Sequence, residues 1–315
     1  MDTAVLGGSG VRVPRLALGC APLAGLFAPV DDAAARATLE AAWETGIRMF
    51  DTAPLYGFGL SEQRVGAALR ERPRDQLVLS TKVGRVLEPR TGAPGPEAAQ
   101  FPAGLALEPR FDFSRDGILR SFEASLERLG LDRIDVVLLH DPDDHMEAAL
   151  REAYPALEEL RAQGIVRAIG AGMNQANALA RFVRETDVDC VLVAGRYTLL
   201  DQSAAEDLLP VCLERGVAAI AGGVLNTGVL ANPRAGATYD YAPAPPAVVE
   251  RARRIGEACE RHGVPLAAAA LQFPLGHPAV ACVLVGARSR AEVVLDVALF
   301  AHPVPDGLWD ELRRM

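Results

Sequence analysis

The chain has 315 residues, 50% of them hydrophobic and 23% charged, with a net charge of −9 and a pI of about 5.2. That composition excludes a disordered chain, and the acidic balance, with arginines scattered among carboxylates, excludes the basic footprint of a nucleic-acid binder. The five cysteines (Cys20, Cys190, Cys212, Cys259, Cys282) stand singly, so they indicate neither a disulfide framework nor a zinc site and read as small buried hydrophobes of a reducing cytoplasm.

In chain order, Met1-Asp2-Thr3 opens without the basic and apolar regions of a signal peptide. Gly7-Gly8-Ser9-Gly10 then predicts the turn of a β-hairpin. Behind it, short apolar runs at 15–18, 47–50, 77–81, 134–139, 166–171, 190–194, 217–221 and 280–285 predict strands, each bounded by turn residues. Helical stretches alternate with them at 33–45, 62–70, 116–128, 147–163, 175–184, 204–215, 248–262 and 290–301. Phe122, Leu126 and Leu129 recur at helical spacing, and Gly46, Gly164 and Gly216 follow helices as C-caps do. The longest apolar region, 264–285, is broken by Gln272, Pro274, His277 and Pro278 and is no membrane span. The chain therefore reads as cytoplasmic, without a membrane partner.

Strands alternating with helices predict a parallel sheet, and eight strands are the number that closes a (β/α)8 (TIM) barrel. An open doubly wound sheet would carry a Gly-x-Gly-x-x-Gly after its first strand. Here the glycine cluster precedes that strand, so the hairpin is read as a plug for the barrel bottom. One domain is expected over residues 1–315. The segments 83–112 and 224–246, both rich in Pro and Gly, follow strands and would form long loops at the C-terminal mouth, where lids and substrate walls stand.

Barrel chemistry sits at the C-terminal strand ends. The second predicted strand runs into Asp51, the third into Lys82 and the fourth into His140, while Tyr56 lies in the loop Thr52-Ala53-Pro54-Leu55-Tyr56-Gly57. Taken singly, each has an ordinary reading: a turn aspartate, a solvated lysine, a structural histidine, a lid aromatic. At successive strand ends they form a set suited to hydride transfer. A carbonyl that accepts hydride must also accept a proton, and the reverse reaction needs a base. The Lys82 ammonium lowers the Tyr56 pKa, Asp51 holds the ammonium, and His140 orients the substrate oxygen.

Barrels often bind phosphate with the loops after strands seven and eight. Ser289 with Glu292 forms a capping-box pattern, so Gly286, Ala287, Arg288, Ser289 and Glu292 mark a helix start suited to an anion. After strand seven, Gly222, Gly223, Leu225, Asn226 and Gly228 belong to a stretch that offers backbone amides to a pyrophosphate. Arg288 and Arg290 would suit the extra phosphate of NADP, whereas Glu292 and Asp296 would repel it, so NAD is favoured over NADP.

The run from Phe50 to Gly57 with Ser61-Glu62, Ser80-Thr81-Lys82, Leu139-His140-Asp141, Leu16–Gly19 and Val285-Gly286-Ala287-Arg288-Ser289 resembles the aldo-keto reductase family over essentially the whole chain. The resemblance implies a nicotinamide-dependent oxidoreductase with Asp51, Tyr56, Lys82 and His140 as its tetrad. The chain departs from the wider family at three strand ends. Gly172-Met173-Asn174 stands for the Ser-Asn pair on the nicotinamide amide, and the resemblance gives that role to Asn174. The stretch 194–201 lacks the usual glutamine, and Gly222 stands for the ring-stacking aromatic. These departures, with His140-Asp141-Pro142-Asp143-Asp144-His145, resemble the branch that oxidises aldoses at C1 (D-threo-aldose, L-fucose, L-galactose) or pyridoxal. They imply a small-molecule substrate whose hydroxyls meet Asp141, beside Tyr56 and His140.

A general aldehyde or ketone reductase is the second enzymatic reading, and a nicotinamide-binding regulatory subunit the non-catalytic one. A metal site built from His140, Asp141, Asp143 and His145 would draw every ligand from one loop, unlike barrel metal sites, so no metal is expected. The oligomeric state stays open.

Overall fold

In the computed structural model, which describes residues 1–26 and 28–315, the chain closes an eight-stranded parallel barrel. Its strands are β1 (Leu16–Gly19), β2 (Met49–Asp51), β3 (Val78–Val83), β4 (Val136–His140), β5 (Ala168–Met173), β6 (Cys190–Ala194), β7 (Ala218–Gly222) and β8 (Val280–Gly286). Neighbours in sequence are neighbours in space, and β8 returns to pair with β1 through Gly286 and Gly19. The period-2 alternation of strands sorts the side chains. Leu16, Leu79, Val137 and Ile169 face the helices, whereas Ala17, Met49, Val136, Leu192 and Cys282 fill the barrel.

The barrel is tight where β5 meets β6. A Cβ at Gly170 would lie 1.8 Å from the Cys190 carbonyl oxygen, so only glycine fits there. The hairpin Thr3–Val5/Arg12–Pro14 closes the bottom, as expected, and Leu6, Val11 and Val13 join the interior cluster. Its turn glycine Gly7, at φ 50°, abuts the Asp189 carbonyl just before β6.

The main helices are α1 (Asp32–Glu44), α2 (Leu60–Leu69), α3 (Arg115–Leu129), α4 (Tyr154–Ala162), α5 (Ala176–Glu185), α6 (Leu208–Arg215), α7 (Pro246–Arg261), α8 (Leu266–Gln272), α9 (Arg290–Phe300) and α10 (Asp306–Leu312), with short helical turns Met146–Ala148 and Ala149–Ala153 leading into α4. Local caps fix several ends. Asp31 accepts from the Ala34 amide at 2.7 Å, Ser114 accepts from Gly117 at 3.1 Å, and Gly130 ends α3 at φ 61°.

One expectation is corrected. The amphipathic 248–262 stretch is helical as α7 but does not take the seventh place in the ring. The alanine-rich α8 packs against β8 and α9, while α7 lies outside it with α10, over a separate cluster that includes Val249, Ile255, Ala268 and Leu308. A helix buried on both sides shows no amphipathic stripe, so periodicity passed over it.

The long mouth loops carry structure of their own. The first holds an antiparallel hairpin, Arg85–Pro89 with Leu107–Phe111. The second holds a two-residue ladder, Thr238–Tyr239 with Ala242–Pro243, whose tip residues Asp240 and Tyr241 have φ 50° and 64°. Among the described residues no helix is long and apolar enough to cross a membrane.

Candidate active site

Asp51, Lys82 and His140 end inward-facing positions on β2, β3 and β4, so closure of the barrel brings their side chains to one mouth. The loop after β2 folds back there. Gly57 and Phe58 take φ 61° and 56°, and Gly57 packs so closely that a Cβ would lie 2.7 Å from that of Ala24. This turn delivers Tyr56. Lys82 Nζ donates to Asp51 Oδ2 at 2.6 Å, to the Thr52 carbonyl at 3.0 Å and to the Tyr56 hydroxyl at 3.0 Å. The ammonium's three donors are thus all spent on fixed oxygens. Ser80 donates to the other Asp51 oxygen at 2.8 Å, and the Tyr56 and His140 rings meet edge-on at 5.8 Å.

The electrostatics follow from burial against pairing. Burial is the largest influence on Lys82 and opposes its charge, but Asp51 and Tyr56 together outweigh it and raise the pKa, so the ammonium persists. Burial pulls His140 well below its ordinary pKa, helped by the charges of Lys82 and Arg85, so its imidazole is neutral at pH 7. Lys82 pushes the Tyr56 pKa down, as expected, yet burial is the larger effect and the net value is raised to about 12. The expectation of a net lowering is therefore corrected: without a further cation at the mouth, Tyr56 holds its proton.

Beyond the tetrad, Asp141 takes a left-handed backbone at φ 47° directly after His140. Its Oδ2 accepts from Arg85 at 2.8 Å and lies 3.6 Å from His140 Nε2. His145 stands apart, in a three-ring cluster with Phe111 and Phe113 at 4.7 and 5.5 Å. Among the described residues no three His, Cys, Asp or Glu side chains are grouped to hold a metal.

The opposite side of the mouth is different. The inward positions that end β5, β6, β7, β8 and β1 are Gly172, Ala194, Gly222, Gly286 and Gly19. A Cβ at Gly172 would stand 3.7 Å from Lys82 Cε, and one at Gly222 would stand 3.3 Å from Leu192 Cδ2. Side chains there would fill a cradle beside the tetrad, and its flat, open floor fits a nicotinamide. Asn174 borders it, donating to the Ala194 carbonyl at 3.0 Å and hydrogen-bonding Tyr241.

The loops expected to hold phosphate are ordered as turns. The Asn226 and Gly228 amides are spent on the Gly223 and Leu225 carbonyls at 2.8 and 3.0 Å, and the Asn226 side chain is buried. Both amides are thus withdrawn from the expected donor set. After β8, Ala287 is buried and Ser289 caps α9 by accepting from the Glu292 amide at 3.2 Å. The Glu292 carboxylate takes the Arg288 amide at 2.7 Å and its guanidinium at 3.2 Å. Arg290 instead pairs with Glu44 at 2.5 Å. Asp296 is buried, and desolvation followed by Glu292 raises its pKa to about 7, so its expected repulsion of a bound phosphate is corrected.

Sequence reasoning missed Arg85 and Tyr241. Neither has a local signal: Arg85 lies in a loop hairpin, and Tyr241 occupies a turn position where asparagine or glycine would be expected.

A (β/α)8 barrel with a buried lysine–carboxylate–tyrosine cluster facing an open cradle is the architecture of a barrel oxidoreductase. The aldo/keto reductase family model matches residues 15–315, and the chain belongs to that family. It is an NAD(P)-dependent oxidoreductase of small molecules. It is 45% identical to D-threo-aldose 1-dehydrogenase of a Pseudomonas species over 96% of this chain and 94% of that one. Pyridoxal 4-dehydrogenase of Microbacterium luteolum is 43% identical over 98% of this chain and 95% of its own length. Among solved structures, an aldo-keto reductase of Bacillus halodurans in its holo form superposes with a TM-score of 0.78 at 28% identity, covering 100% of this chain and 96% of that one.

Proposed function

We propose that this protein oxidises the cyclic hemiacetal of an aldose at C1 to a lactone, with NAD as the preferred cofactor. The observation that carries the reading is the Arg85–Asp141 pair, a charged hydrogen-bonding element set directly beside His140. Such a group suits a substrate with several hydroxyls better than an apolar carbonyl. Two of the aromatics after Lys82 are occupied elsewhere, Phe111 and Phe113 on His145, whereas Phe101 stands beside Tyr56 at 6.1 Å. The activities named for the two relatives support one chemistry. An aldose at C1 and pyridoxal at its 4-position both offer a hemiacetal carbon, because pyridoxal closes a ring with its own hydroxymethyl group.

In the proposed reaction the substrate C1 hydroxyl sits between Tyr56 and His140. A nicotinamide, when bound, supplies the hydride acceptor. Tyr56, entering the step as a phenolate held by Lys82, takes the hydroxyl proton as the C1–H bond breaks and C1=O forms, and ends as the neutral phenol. Asp51 keeps Lys82 charged and in place. His140, being neutral, donates a hydrogen bond to the substrate oxygen without competing for the proton. In reduction the same proton returns from Tyr56.

Gly172, Gly222 and Asn174 would seat the nicotinamide ring. Gly223 and Leu225 after β7, and Gly286, Ala287, Arg288 and Ser289 after β8, would meet its phosphates and ribose. Glu292, already bonded to Arg288, weakens the case for an additional 2′-phosphate and supports NAD.

The test is to incubate the enzyme and NAD with L-fucose, D-arabinose, L-galactose and pyridoxal, following NADH and identifying products by mass. A sugar lactone is the expected result. Pyridoxolactone alone would keep the chemistry and change the substrate. Inactivity with all four, beside brisk reduction of simple aldehydes, would overturn the reading.

A further inference from the structure

We propose that Arg85 is a specificity-determining residue that, with Asp141, recognises the hydroxyl on the carbon next to the reacting one. This rests on the proposed oxidation of an aldose at C1 and names the substrate feature that the site selects.

Arg85 follows Lys82 by three residues. Gly84, at φ 95°, makes the turn between them, and its Cβ position is taken by the Phe113 ring at 2.3 Å. Arg85 is 9% exposed, and its guanidinium lies on the face of Phe111 at 4.1 Å. Among the described residues its side chain makes one hydrogen bond, to Asp141, and its Nε is buried without a partner. Glu97 lies 3.9 Å away, beyond hydrogen-bond reach. An arginine held this way keeps donor capacity at the mouth that the protein itself leaves unused.

Asp141 shows the complementary feature. Its backbone is left-handed, at φ 47°, and that turn places its carboxylate between Arg85 and His140. Because Asp141 directly follows His140, a substrate whose C1 oxygen meets His140 presents its next oxygen to the Arg85–Asp141 pair. A hydroxyl is both donor and acceptor. It can donate to the Asp141 carboxylate and accept from Arg85 at once, a match that a bare alkyl carbon cannot make. The pair thus reads the C2 hydroxyl of an aldose and discriminates against 2-deoxy sugars.

D-Arabinose and 2-deoxy-D-ribose differ only in the C2 hydroxyl and make the probe. For the wild type, kcat/KM for D-arabinose should exceed that for 2-deoxy-D-ribose by about 10- to 100-fold, the range expected for hydrogen bonds to charged groups. In Arg85→Met the ratio should collapse toward one, carried mainly by KM for D-arabinose. Arg85→Lys, which keeps the charge and a donor, should restore part of it. Because the ratio is taken within one variant, a general loss of activity does not mimic the effect, and melting temperature reports folding separately. A residue that only tethers the hairpin would lower both sugars equally and leave the ratio intact, which would overturn the assignment, as would a wild-type ratio near one. An enzyme that oxidises no aldose fails the proposed function as well, so the two failures are told apart by wild-type turnover alone.

Discussion

The two halves of the barrel mouth are built on opposite principles. Strands β2, β3 and β4 end in Asp51, Lys82 and His140, all buried, with Asp51 and Lys82 hydrogen-bonded to each other and His140 edge-on to Tyr56. Strands β5 to β8 and β1 end in Gly172, Ala194, Gly222, Gly286 and Gly19, which contribute backbone and space. One half supplies reactive groups at set distances, and the other supplies a surface that a flat molecule can approach. A barrel permits this division because every strand brings an inward residue to the same mouth, and each can be chosen separately.

The largest way to break the comparison is to remove the reactive group itself. Tyr56→Phe should lower kcat by about 10²–10⁴-fold in both directions while leaving the melting temperature and NADH affinity near wild type. Steady-state rates beside a binding titration check it, and a variant that keeps most of its kcat would show that the reagent half is misassigned.

Lys82→Met should come next, and it acts on two properties. It leaves Asp51 buried without its cation, which should cost about 3–5 kcal/mol of stability, measured by denaturant unfolding. It also changes the pH profile. Tyr56 must be deprotonated to start oxidation and its pKa is raised to about 12, so kcat/KM for oxidation should climb with pH through the alkaline range, whereas reduction should not. Without Lys82 the phenol loses the cation that opposes burial, so the climb should move to still higher pH. His140 titrates well below its ordinary range, so the wild-type profile should show no inflection near pH 6.5.

Filling the open half should separate binding from chemistry. In Gly222→Val the new side chain stands against Leu192, and its remaining bulk enters the cradle. An overpacking cost of about 1–3 kcal/mol would weaken NADH binding roughly 5- to 150-fold. Fluorescence titration measures this, and an unchanged Kd would show that the cofactor sits elsewhere.

The smallest effect concerns the second phosphate. Wild type should prefer NAD by kcat/KM. Glu292→Gln frees the Arg288 guanidinium and should improve NADP a few-fold, as expected for an exposed charge pair. A tenfold wild-type preference for NADP would reverse the assignment.

The sequence by itself determined the barrel. Eight short apolar runs with helices between them can bury their faces in few ways, and their boundaries fall within about two residues of the observed strands, the uncertainty ordinary for element ends. It also placed the residues of the proposed tetrad together, because strand ends of a closed barrel must share one mouth, and Asp51, Lys82 and His140 stand at consecutive ends. Tertiary structure decided the rest. The alanine-rich α8, apolar on every side, shows its place only once α7 and α10 are packed over it. Arg85 meets Asp141 across 56 positions of chain, and Tyr241 reaches Asn174 from the tip of a distant hairpin. Tyr241 takes left-handed backbone without being glycine, asparagine or aspartate, so its residue type did not announce the turn. The Tyr56 pKa was settled the same way. Its lysine was legible in the sequence, but the burial that outweighs it is a sum over many side chains that only folding brings together.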